Sequence, residues 1–231
     1  LSGSGEPTLH SRFGQVLDFL EDQPIPSALL TNGTLFGQKA VRRAARLARV
    51  VKVSLSAWDQ TSFEWINRPH RALEFAQVVD GIERFREGFK GQLWIEVFLL
   101  AGINAMAAQV EKIARLAATL KPDKIHLNTI ARPPAEDFAA AVSTAQLEAL
   151  AGLFDPPAQV ASAFSIRRSQ KGSADEAKIL AMLKRRPCTI KQIEAAFGLH
   201  INEVSKTLGQ LMRHDRIRAD LKNQEVYYRY R

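Results

Sequence analysis

Polar side chains recur at alternate positions in four short apolar stretches of this chain, and these are the residues best placed to do chemistry. The stretches are SALLTN (27–32), VVKVSLS (50–56), LWIEVFLL (93–100) and KIHLN (124–128). If each is a strand, alternate residues point to opposite faces. The polar residues are Thr31, Lys52, Ser54, Ser56, Glu96, His126 and Asn128. A polar face of this kind could bind a polar small molecule, although Lys52 and Glu96 are also compatible with a buried structural ion pair.

Amphipathic helices separate these stretches. Apolar residues recur with helical spacing at 9–21, 72–88 and 107–120, and weaker patterns cover about 38–47 and 144–153. Alternating strands and helices are typical of β-α units that build a parallel sheet or barrel. Strands of a plain open parallel sheet are apolar on both faces, whereas these are not. We therefore expect an α/β protein with a partial barrel whose polar faces line its interior.

The loops that follow the strands have the composition of a ligand site. In β/α barrels, ligands bind at the carboxyl ends of the strands. The segments at those ends are GSGEP (3–7), TNGTL (31–35), SLSAWD (54–59), LLAGIN (99–104) and LNTIARPP (127–134). Four of them are rich in Gly, Ser, Thr and Asn. This composition suits binding by backbone groups, but ordinary turns have it too.

Bulk composition excludes several classes of protein. No apolar run reaches the roughly 18–20 residues of a membrane span, so we expect no membrane partner. Cys188 is the only cysteine, which excludes an internal disulfide and fits a reducing, cytoplasmic location. A single cysteine also excludes an iron–sulfur cluster held by this chain alone, so we expect no metal site within these residues.

Five segments together resemble the radical S-adenosylmethionine (radical SAM) superfamily. They are GSGEP before an amphipathic helix, LLTNGTL, VVKVSLSAWD, INRPH (66–70) and EVFLLAGIN. The resemblance covers about residues 1–165 and points in particular to the branch that includes wyosine-type tRNA imidazoline synthases. It implies an iron–sulfur enzyme, with RNA modification as one candidate activity. It also implies a partial, TIM-like (β/α) barrel of the radical SAM type that lacks its first strand.

The resemblance further implies which residues contact S-adenosylmethionine. GSGEP matches a Gly-Gly-Glu-Pro-like turn of the family, whose backbone holds the methionyl amino group. Ser54 and Ser56 match residues that contact the ribose or the carboxylate, and 99–104 with Asn128 match the walls of the adenine site. The expected cofactor residues are Gly3, Ser4, Gly5, Glu6, Pro7, Thr31, Asn32, Ser54, Ser56, Asn104 and Asn128.

In the family, a CxxxCxxC loop holds a [4Fe–4S] cluster, and the reduced cluster cleaves S-adenosylmethionine to a 5′-deoxyadenosyl radical. By resemblance, that loop would lie upstream of Leu1, so we expect this chain to lack the cluster ligands and to be an inactive fragment. The complete enzyme would need an electron donor for the cluster. The alternative is a nucleic-acid-binding regulator whose barrel only senses a small molecule.

Seven residues are candidates for substrate contact. They are Lys52, Glu96 and His126 inside the barrel, and Asn67, Arg68, His70 and Arg132 beyond the strands. Asn67 and Arg68 could instead brace the end of a helix, and Arg132 could be a surface residue. Trp58 and Trp65 could stack on a base or pack against the barrel wall.

Charge divides the chain into two regions. Residues 1–166 carry 17 Lys+Arg and 17 Asp+Glu, whereas residues 167–231 carry 15 and 7, so the tail holds the whole net charge of +8. The stretch RRSQKGS (167–173) is polar, basic and without periodicity, as linkers are. We therefore predict a barrel domain at 1–166, a linker at 167–173 and a second domain at 174–231.

The tail has the element order of a winged helix. Capping boxes at 173–176 and 189–192 begin two helices, a third is expected at about 201–214, and the last residues alternate around LKNQ (221–224) as a hairpin does. Helix-turn-helix proteins present such a third helix to DNA, and exposed tyrosines can stack on bases. The expected contacts with tRNA or DNA are Asn202, Lys206, Gln210, Arg213, Tyr227 and Tyr228. Winged helices also dock peptides, proteins or their own neighbouring domain, so these partners stay open.

Overall fold

Residues 1–3, 5–130, 136, 138–160, 176–222 and 225–231 are described by a computed structural model of the chain. Nearly all of them fall into two compact units, one formed by residues 1–130 and 138–160 and the other by residues 176–231. Each unit has its own hydrophobic cluster. The linker expected at 167–173 lies outside the described residues.

The first unit alternates strands and helices, after a 3₁₀ turn at Pro7–Leu9. Its helices are α1 (Phe13–Glu21), α2 (Lys39–Ala45), α3 (Gln60–Asn67), α4 (Phe75–Glu87), α5 (Ala107–Thr119) and α6 (Thr144–Ala151). Its strands are β1 (Ala28–Thr31), β2 (Val50–Ser54), β3 (Gln92–Phe98), β4 (Leu100–Ala101), β5 (Lys124–Asn128), β6 (Ala140–Ala141) and β7 (Gln159–Val160).

Five of these strands form one parallel sheet in the order β1-β2-β3-β5-β7. Its register places Ser54 beside Glu96 and Glu96 beside His126. The two shortest strands, β4 and β6, form a separate antiparallel pair. The parallel sheet with its intervening helices confirms the expected α/β class. Within the described ranges, no helix has both the length and the apolar character needed to cross a bilayer.

The sheet has one apolar face and one polar face, as the alternation predicts. Val53, Ile95 and Leu127 are fully buried, and they join a cluster that includes Ile82 of α4 and Ile113 of α5. Fully burying one such aliphatic side chain stabilises a fold by about 1.5–3 kcal/mol. The helices therefore cover the apolar face. The alternate residues of β2, β3 and β5 are only half-buried, except for the exposed strand ends at Gln92 and Phe98.

The first helix differs from the expectation for 9–21. The Glu6 side chain accepts a hydrogen bond from the Thr8 N–H and caps the 3₁₀ turn at Pro7–Leu9. Leu9 therefore belongs to that turn, where it is exposed, and α1 begins four residues later at Phe13.

The second unit contains three helices and a hairpin. The helices are α7 (Glu176–Arg185), α8 (Ile190–Phe197) and α9 (Ile201–Arg213), and β8 (Ile217–Lys222) pairs antiparallel with β9 (Glu225–Tyr230). Thr189 and Gln192 form the expected capping box, and Gly198 ends α8 with a left-handed φ of 64°. The capping box expected at 173–176 begins outside the described residues. The element order is the expected one, and its interpretation as a winged helix stays a prediction.

Cys188 lies in the core of this second unit. It is fully buried in a cluster with Ile193 of α8 and Leu208 of α9. Its backbone exchanges two hydrogen bonds with Tyr228 of β9, at 2.9 and 2.8 Å. The segment between α7 and α8 is therefore attached to the hairpin through its backbone.

Candidate functional site

Glu6 ties the glycine-rich turn to the end of β1. One carboxylate oxygen, Oε1, accepts hydrogen bonds from the Thr8 N–H at 3.0 Å, the Thr8 hydroxyl at 2.6 Å and the Thr31 hydroxyl at 2.6 Å. The other oxygen, Oε2, accepts from the Asn32 N–H at 2.7 Å. Hydrogen bonds to a carboxylate are among the stronger ones in proteins. The Glu6 carboxylate already accepts these four hydrogen bonds. A ligand at the turn would therefore contact the backbone groups of the turn.

The turn after β1 is held by its own side chains. The Thr31 hydroxyl oxygen accepts from the Gly33 N–H at 3.1 Å. The Asn32 side-chain oxygen accepts from the N–H and the hydroxyl of Thr34, at 3.0 and 2.8 Å. Gly33 has a φ of +74°, which glycine adopts far more readily than other residues. The segment Thr31–Gly33 is thus a preformed loop at the carboxyl end of a strand.

A cleft of about 320 Å³ opens between the glycine-rich turn and strands β1, β2 and β3. Seven of the expected cofactor residues line it: Gly3, Gly5, Glu6, Pro7, Thr31, Asn32 and Ser54. Lys52 and Glu96, which were expected to face a substrate, are part of the same wall. Ser4, also expected here, lies outside the described residues. The cleft therefore brings together residues from four separate segments of the sequence.

Lys52 and Glu96 form an ion pair in this cleft. Lys52 Nζ contacts Glu96 Oε1, and the side-chain amide of Asn128 donates to the same oxygen. The two charged side chains are mostly buried, with 17% and 27% of their surface exposed. Asn128 does not line the cleft but orients Glu96. The contact agrees with the structural interpretation of the pair, and both charges also face the cleft.

His126 lies next to this pair on the polar face of the sheet. Its ring is half-buried and meets the edge of Trp94, with centroids 5.1 Å apart. Burial, and then the positive charge of Lys52, lower the pKa of His126 below its usual value near 6.5, although Glu96 opposes the shift. The imidazole is therefore held in its neutral form on this face at neutral pH.

Ser56 and Asn104 lie apart from the cleft, contrary to the expectation that they contact the cofactor. The Ser56 hydroxyl oxygen accepts from the Phe98 N–H at 2.9 Å. Asn104 is fully buried; its side-chain oxygen accepts from the Leu100 N–H at 2.7 Å, and its amide donates to the carbonyls of Ser56 and Phe98. Both side chains use these hydrogen bonds to hold the end of β3 against the loop after β2. We correct their role from ligand contact to support of the fold.

The INRPH residues also lie outside the cleft. Asn67 ends α3, and Arg68 follows with a left-handed φ of 48° while its N–H donates to the Glu64 carbonyl at 3.1 Å. This matches the alternative in which the segment braces a helix end. His70 is exposed, and its Nδ1 accepts from the Ala72 N–H at 3.2 Å. Arg132 lies outside the described residues.

The part of the chain that the structure describes contains no metal site built from His, Cys, Asp or Glu. Within those ranges, no group of three or more His, Cys, Asp or Glu side chains could hold a metal ion. The residues present therefore do not fit an iron–sulfur cluster, and no step below depends on one.

In the second unit, the expected nucleic-acid contacts separate into two groups. Asn202, Lys206 and Arg213 are exposed on α9, and Gln210 is half-exposed. Tyr227 is only 9% exposed, and its hydroxyl donates to Glu225 Oε2 at 3.2 Å. Burial raises the pKa of Tyr227 above its usual value of 10.0.

Tyr227 therefore lacks the free ring face that base stacking needs. Tyr228 is half-buried and packs against the core of the second unit. The burial of Tyr227 corrects it from a stacking residue to a buried one, whereas stacking by the half-buried Tyr228 stays a prediction.

The sequence prediction missed three residues of the cleft region. Thr8 supplies two of the hydrogen bonds to Glu6, and Ser2 and Leu30 line the cleft. For Thr8 a signal existed, since an acidic residue followed by proline is typical of the start of a helical turn. Ser2 and Leu30 carry no such signal, because their place in the wall follows from the tertiary packing.

Relatives of this chain are found among curated proteins, although no protein-family model matches it. The GTPase Obg of Brachyspira hyodysenteriae is 29% identical over 232 residues, which is 98% of this chain and 34% of that protein. UPF0026 protein MJ1312 of Methanocaldococcus jannaschii is 33% identical over 134 residues, 58% of this chain and 42% of that protein. A UPF0026 protein of Helicobacter pylori strain 26695 is 29% identical over 94% of this chain and 70% of its own length.

The chain thus spans about a third of the Obg relative and about two fifths of MJ1312. Its sequence contains no GxxxxGK[ST] stretch, which is the phosphate-binding loop of P-loop nucleotide hydrolases.

Solved structures share the fold of about two thirds of the chain. A domain of pyruvate-formate lyase-activating enzyme from Bacteroides vulgatus aligns with a TM-score of 0.55 at 20% identity, over 69% of this chain and 96% of that one. A radical SAM methyltransferase from Sphaerobacter thermophilus aligns with a TM-score of 0.53 at 20% identity, over 68% of this chain and 48% of that one. At this identity the matches establish the fold alone. The chain therefore contains a parallel α/β partial barrel of the kind found in radical SAM enzymes.

Proposed function

We propose that this chain is part of a radical SAM enzyme and that the cleft at Gly5, Thr31 and Ser54 holds S-adenosylmethionine. The observation that carries the proposal is the convergence of the glycine-rich turn, the loop after β1 and Ser54 on one cleft. The likeness in fold to a radical SAM methyltransferase supports it. Such an enzyme would draw a 5′-deoxyadenosyl radical from S-adenosylmethionine with the help of a [4Fe–4S] cluster, for which the described residues supply no ligand set.

The glycines of the turn fit a bound ligand. A Cβ placed on Gly5 would meet no atom within 4 Å, and one on Gly3 would approach only Gly5 backbone atoms at 3.8 Å or more. Neither glycine is required by neighbouring packing, yet both line the cleft. A side chain at either position would occupy space that a ligand could fill, and its absence leaves the backbone of the turn accessible.

The charged pair fits the same ligand. Lys52 and Glu96 present one positive and one negative group in the cleft. The methionyl end of S-adenosylmethionine carries an ammonium and a carboxylate, so it is complementary to a pair of this kind. In this proposal the pair orients the methionyl end, and Asn128 holds Glu96 in place.

Nuclear magnetic resonance of the 231-residue chain tests this proposal. We expect S-adenosylmethionine to shift the backbone amides of Gly3, Gly5, Asn32 and Ser54 with millimolar affinity, because the cluster would be the main anchor of the methionyl end. Gly5→Val should abolish these shifts. The matched control is Gly152→Val, since Gly152 also has no atom within 4 Å of an added Cβ and does not line the cleft. Shifts that are absent, lie elsewhere or survive Gly5→Val would refute the proposal.

A second candidate function is nucleic-acid binding by residues 176–231. These residues carry 12 Lys+Arg against 6 Asp+Glu, a net charge of +6. Some of the arginines are neutralised locally, since Arg216 pairs with Glu176 at 3.2 Å and Arg231 contacts Asp215. Lys206 and Arg213 are exposed on α9. If the unit is a winged helix, this helix would face the phosphate backbone.

The salt dependence of binding to duplex DNA and to tRNA tests this candidate in the full chain. Neutralising about four phosphates gives a log–log slope near −3.6 on duplex DNA. Lys206→Ala and Arg213→Ala should each reduce the slope by about one unit, whereas the paired Arg216→Ala should change it less. A chain that binds neither nucleic acid at low salt would refute the candidate and favour a peptide partner.

A further inference from the structure

Basic residues form a stripe along the outer face of α2. Their spacing of i, i+3, i+4 and i+7 places them on one side of a helix. Val41 and Ala45 lie on the opposite side and are buried in the core of the first unit. The stripe therefore faces solvent, and the residues of this basic stripe are Lys39, Arg42, Arg43 and Arg46.

The basic stripe lies in a part of the sequence that has no acidic residue. Between Asp22 and Asp59 the chain has six Lys and Arg and no Asp or Glu, although residues 1–166 as a whole are neutral. Outer helices usually carry both signs of charge, as α4 and α5 do. The positive charge of α2 is therefore a local excess within a neutral unit.

Carboxylates do not neutralise this excess. Among the residues that the structure describes, no ion pair involves the basic stripe. α1 packs against α2 and carries Asp18 and Glu21, yet neither forms an ion pair with the stripe in that part of the chain. Other arginines of the first unit do have such partners, since Arg84 pairs with Asp80 at 3.0 Å.

Backbone carbonyls hold two of the four cations in place. Arg42 Nη1 donates to the Gly37 carbonyl at 2.8 Å. Arg46 Nη2 donates to the Arg84 carbonyl at 2.9 Å, near the end of α4. Gly88 leaves room for this guanidinium, because a Cβ there would lie 2.6 Å from Arg46 Cζ. A carbonyl oxygen orders the side chain but carries no net charge, so both guanidinium groups stay positive in fixed positions.

The composition of the basic stripe suits phosphate. Three of its four residues are arginines, and the guanidinium group binds phosphate through two parallel hydrogen bonds. Lys39 and Arg43 are exposed, and within the described ranges their side chains have no hydrogen-bond partner. Their donors are therefore open to an anion.

Other negatively charged surfaces fit α2 less well. A helix that lies on a membrane inserts its apolar face among the lipids, and the apolar face of α2 is already buried in the core. Protein interfaces centre on large apolar or aromatic side chains, whereas Gln38 and Ala40 are the exposed neighbours of Lys39. A nucleic-acid backbone needs neither feature, because its phosphates dominate the affinity.

The position of α2 separates the basic stripe from the cleft. α2 connects the parallel strands β1 and β2, so it runs antiparallel to them along the outside of the sheet. None of the residues of the stripe lines the cleft. A nucleic acid bound along α2 would therefore leave the cleft open.

We propose that the basic stripe on α2 binds the phosphate backbone of a nucleic acid. This surface goes beyond the proposed function, because it belongs to the first unit and is independent of both the cofactor cleft and α9. The phosphates could belong to a single strand or to a duplex, and the chemistry of the stripe is the same for both.

Nuclear magnetic resonance titration of the full chain measures binding at α2 itself. We expect dodecauridylate and a DNA duplex of the same length to shift the backbone amides of Ala40 and Ala44, with an affinity that falls as salt rises. One phosphate contact contributes about 0.7 to the log–log salt slope on a single strand and about 0.9 on duplex DNA. Lys39→Gln combined with Arg43→Gln should therefore reduce the slope by about 1.4 and about 1.8, respectively. Tighter binding of one probe at these amides identifies the source of the phosphates.

The matched control combines Lys112→Gln with Arg115→Gln. It removes the same charge from exposed positions of α5, another helix of the first unit, and should leave the salt slope at α2 in place. Arg43→Lys keeps the charge and should also preserve the slope. Melting temperatures of the variants verify that each remains folded.

Three results would overturn the proposal. They are unshifted α2 amides with both probes, an equal loss of slope in the α5 control, and equally tight binding of polyglutamate or of phosphatidylserine vesicles at the same amides. Binding by the second unit appears at the amides of α9 instead. The cofactor shifts at Gly5 and Ser54 are measured separately in the α2 variant, so failure at the basic stripe is distinguishable from failure of the proposed function.

Discussion

At the scale of single residues, the polar face of the sheet holds a histidine whose protonation is coupled to folding. The folded protein lowers the pKa of His126 through burial and the charge of Lys52. In the unfolded chain the same imidazole takes up a proton near its usual value of about 6.5. Protonation therefore favours the unfolded state as pH falls below that value.

This coupling predicts a loss of stability in mild acid. The melting temperature of the first unit should fall by a few degrees between neutral pH and about pH 5, which spans the usual pKa of histidine. His126→Gln should remove part of that fall, whereas His10→Gln, a change at an exposed position in the same unit, should leave it in place. Calorimetry at the two pH values measures the effect. If the melting temperature of His126→Gln falls as far as that of the unaltered protein, His126 is not the origin of the acid sensitivity.

The residue scale also shows what could be predicted from sequence. Lys52, Glu96 and His126 were expected on one face because strand geometry repeats every two residues, and that expectation holds. Asn104 and Tyr227 were misjudged. Both are polar residues of a kind found at ligand sites. Only the structure shows that the Asn104 amide donates to the distant Ser56 carbonyl and that the Tyr227 hydroxyl donates to Glu225 on the same strand.

At the scale of elements, the turn after β1 depends on Gly33. Its φ of +74° disfavours other residues, and an added Cβ would lie 2.9 Å from Val53 Cγ1. Gly33→Ala should therefore destabilise the first unit by about 1–3 kcal/mol. Gly37→Ala is the control, because an added Cβ there meets no atom within 4 Å. Urea unfolding of both variants measures this difference in stability. Equal urea midpoints for Gly33→Ala and Gly37→Ala would show that the turn tolerates the strain.

Element boundaries were harder to predict than element types. The apolar spacing at 9–21 correctly indicated a helix but included Leu9, which the structure places in a separate 3₁₀ turn capped by Glu6. The periodic pattern reports which residues can share a helical face. It does not report that Glu6 bonds to residues 25 and 26 positions away, and this contact sets the conformation of the turn.

At the scale of the whole molecule, the two separate cores predict two unfolding transitions. Ile95 and Ile193 are both fully buried, one in each core. Ile95→Val and Ile193→Val should each cost about 0.5–1.5 kcal/mol, and each should lower only the transition of its own unit. The fall in melting temperature should be larger in the second unit, because the same loss of free energy moves the midpoint of a smaller domain further. About 1 kcal/mol moves the midpoint of a small domain by roughly 4–8 °C. A single transition lowered by both variants in calorimetry would show that the units unfold together.

Because Cys188 is buried, the rate at which a thiol reagent labels it measures how often the second unit opens. A thiol reagent reaches a fully buried sulfur only when the surrounding structure opens, and this chain has no other sulfhydryl group to compete. Labelling kinetics of the unaltered protein would therefore time the opening of residues 176–231 alone, without an introduced probe. When closing is faster than labelling, the rate reports the population of the open form. A partner that binds the folded second unit should slow the reaction in proportion to the stability it adds, whatever the chemistry of that partner.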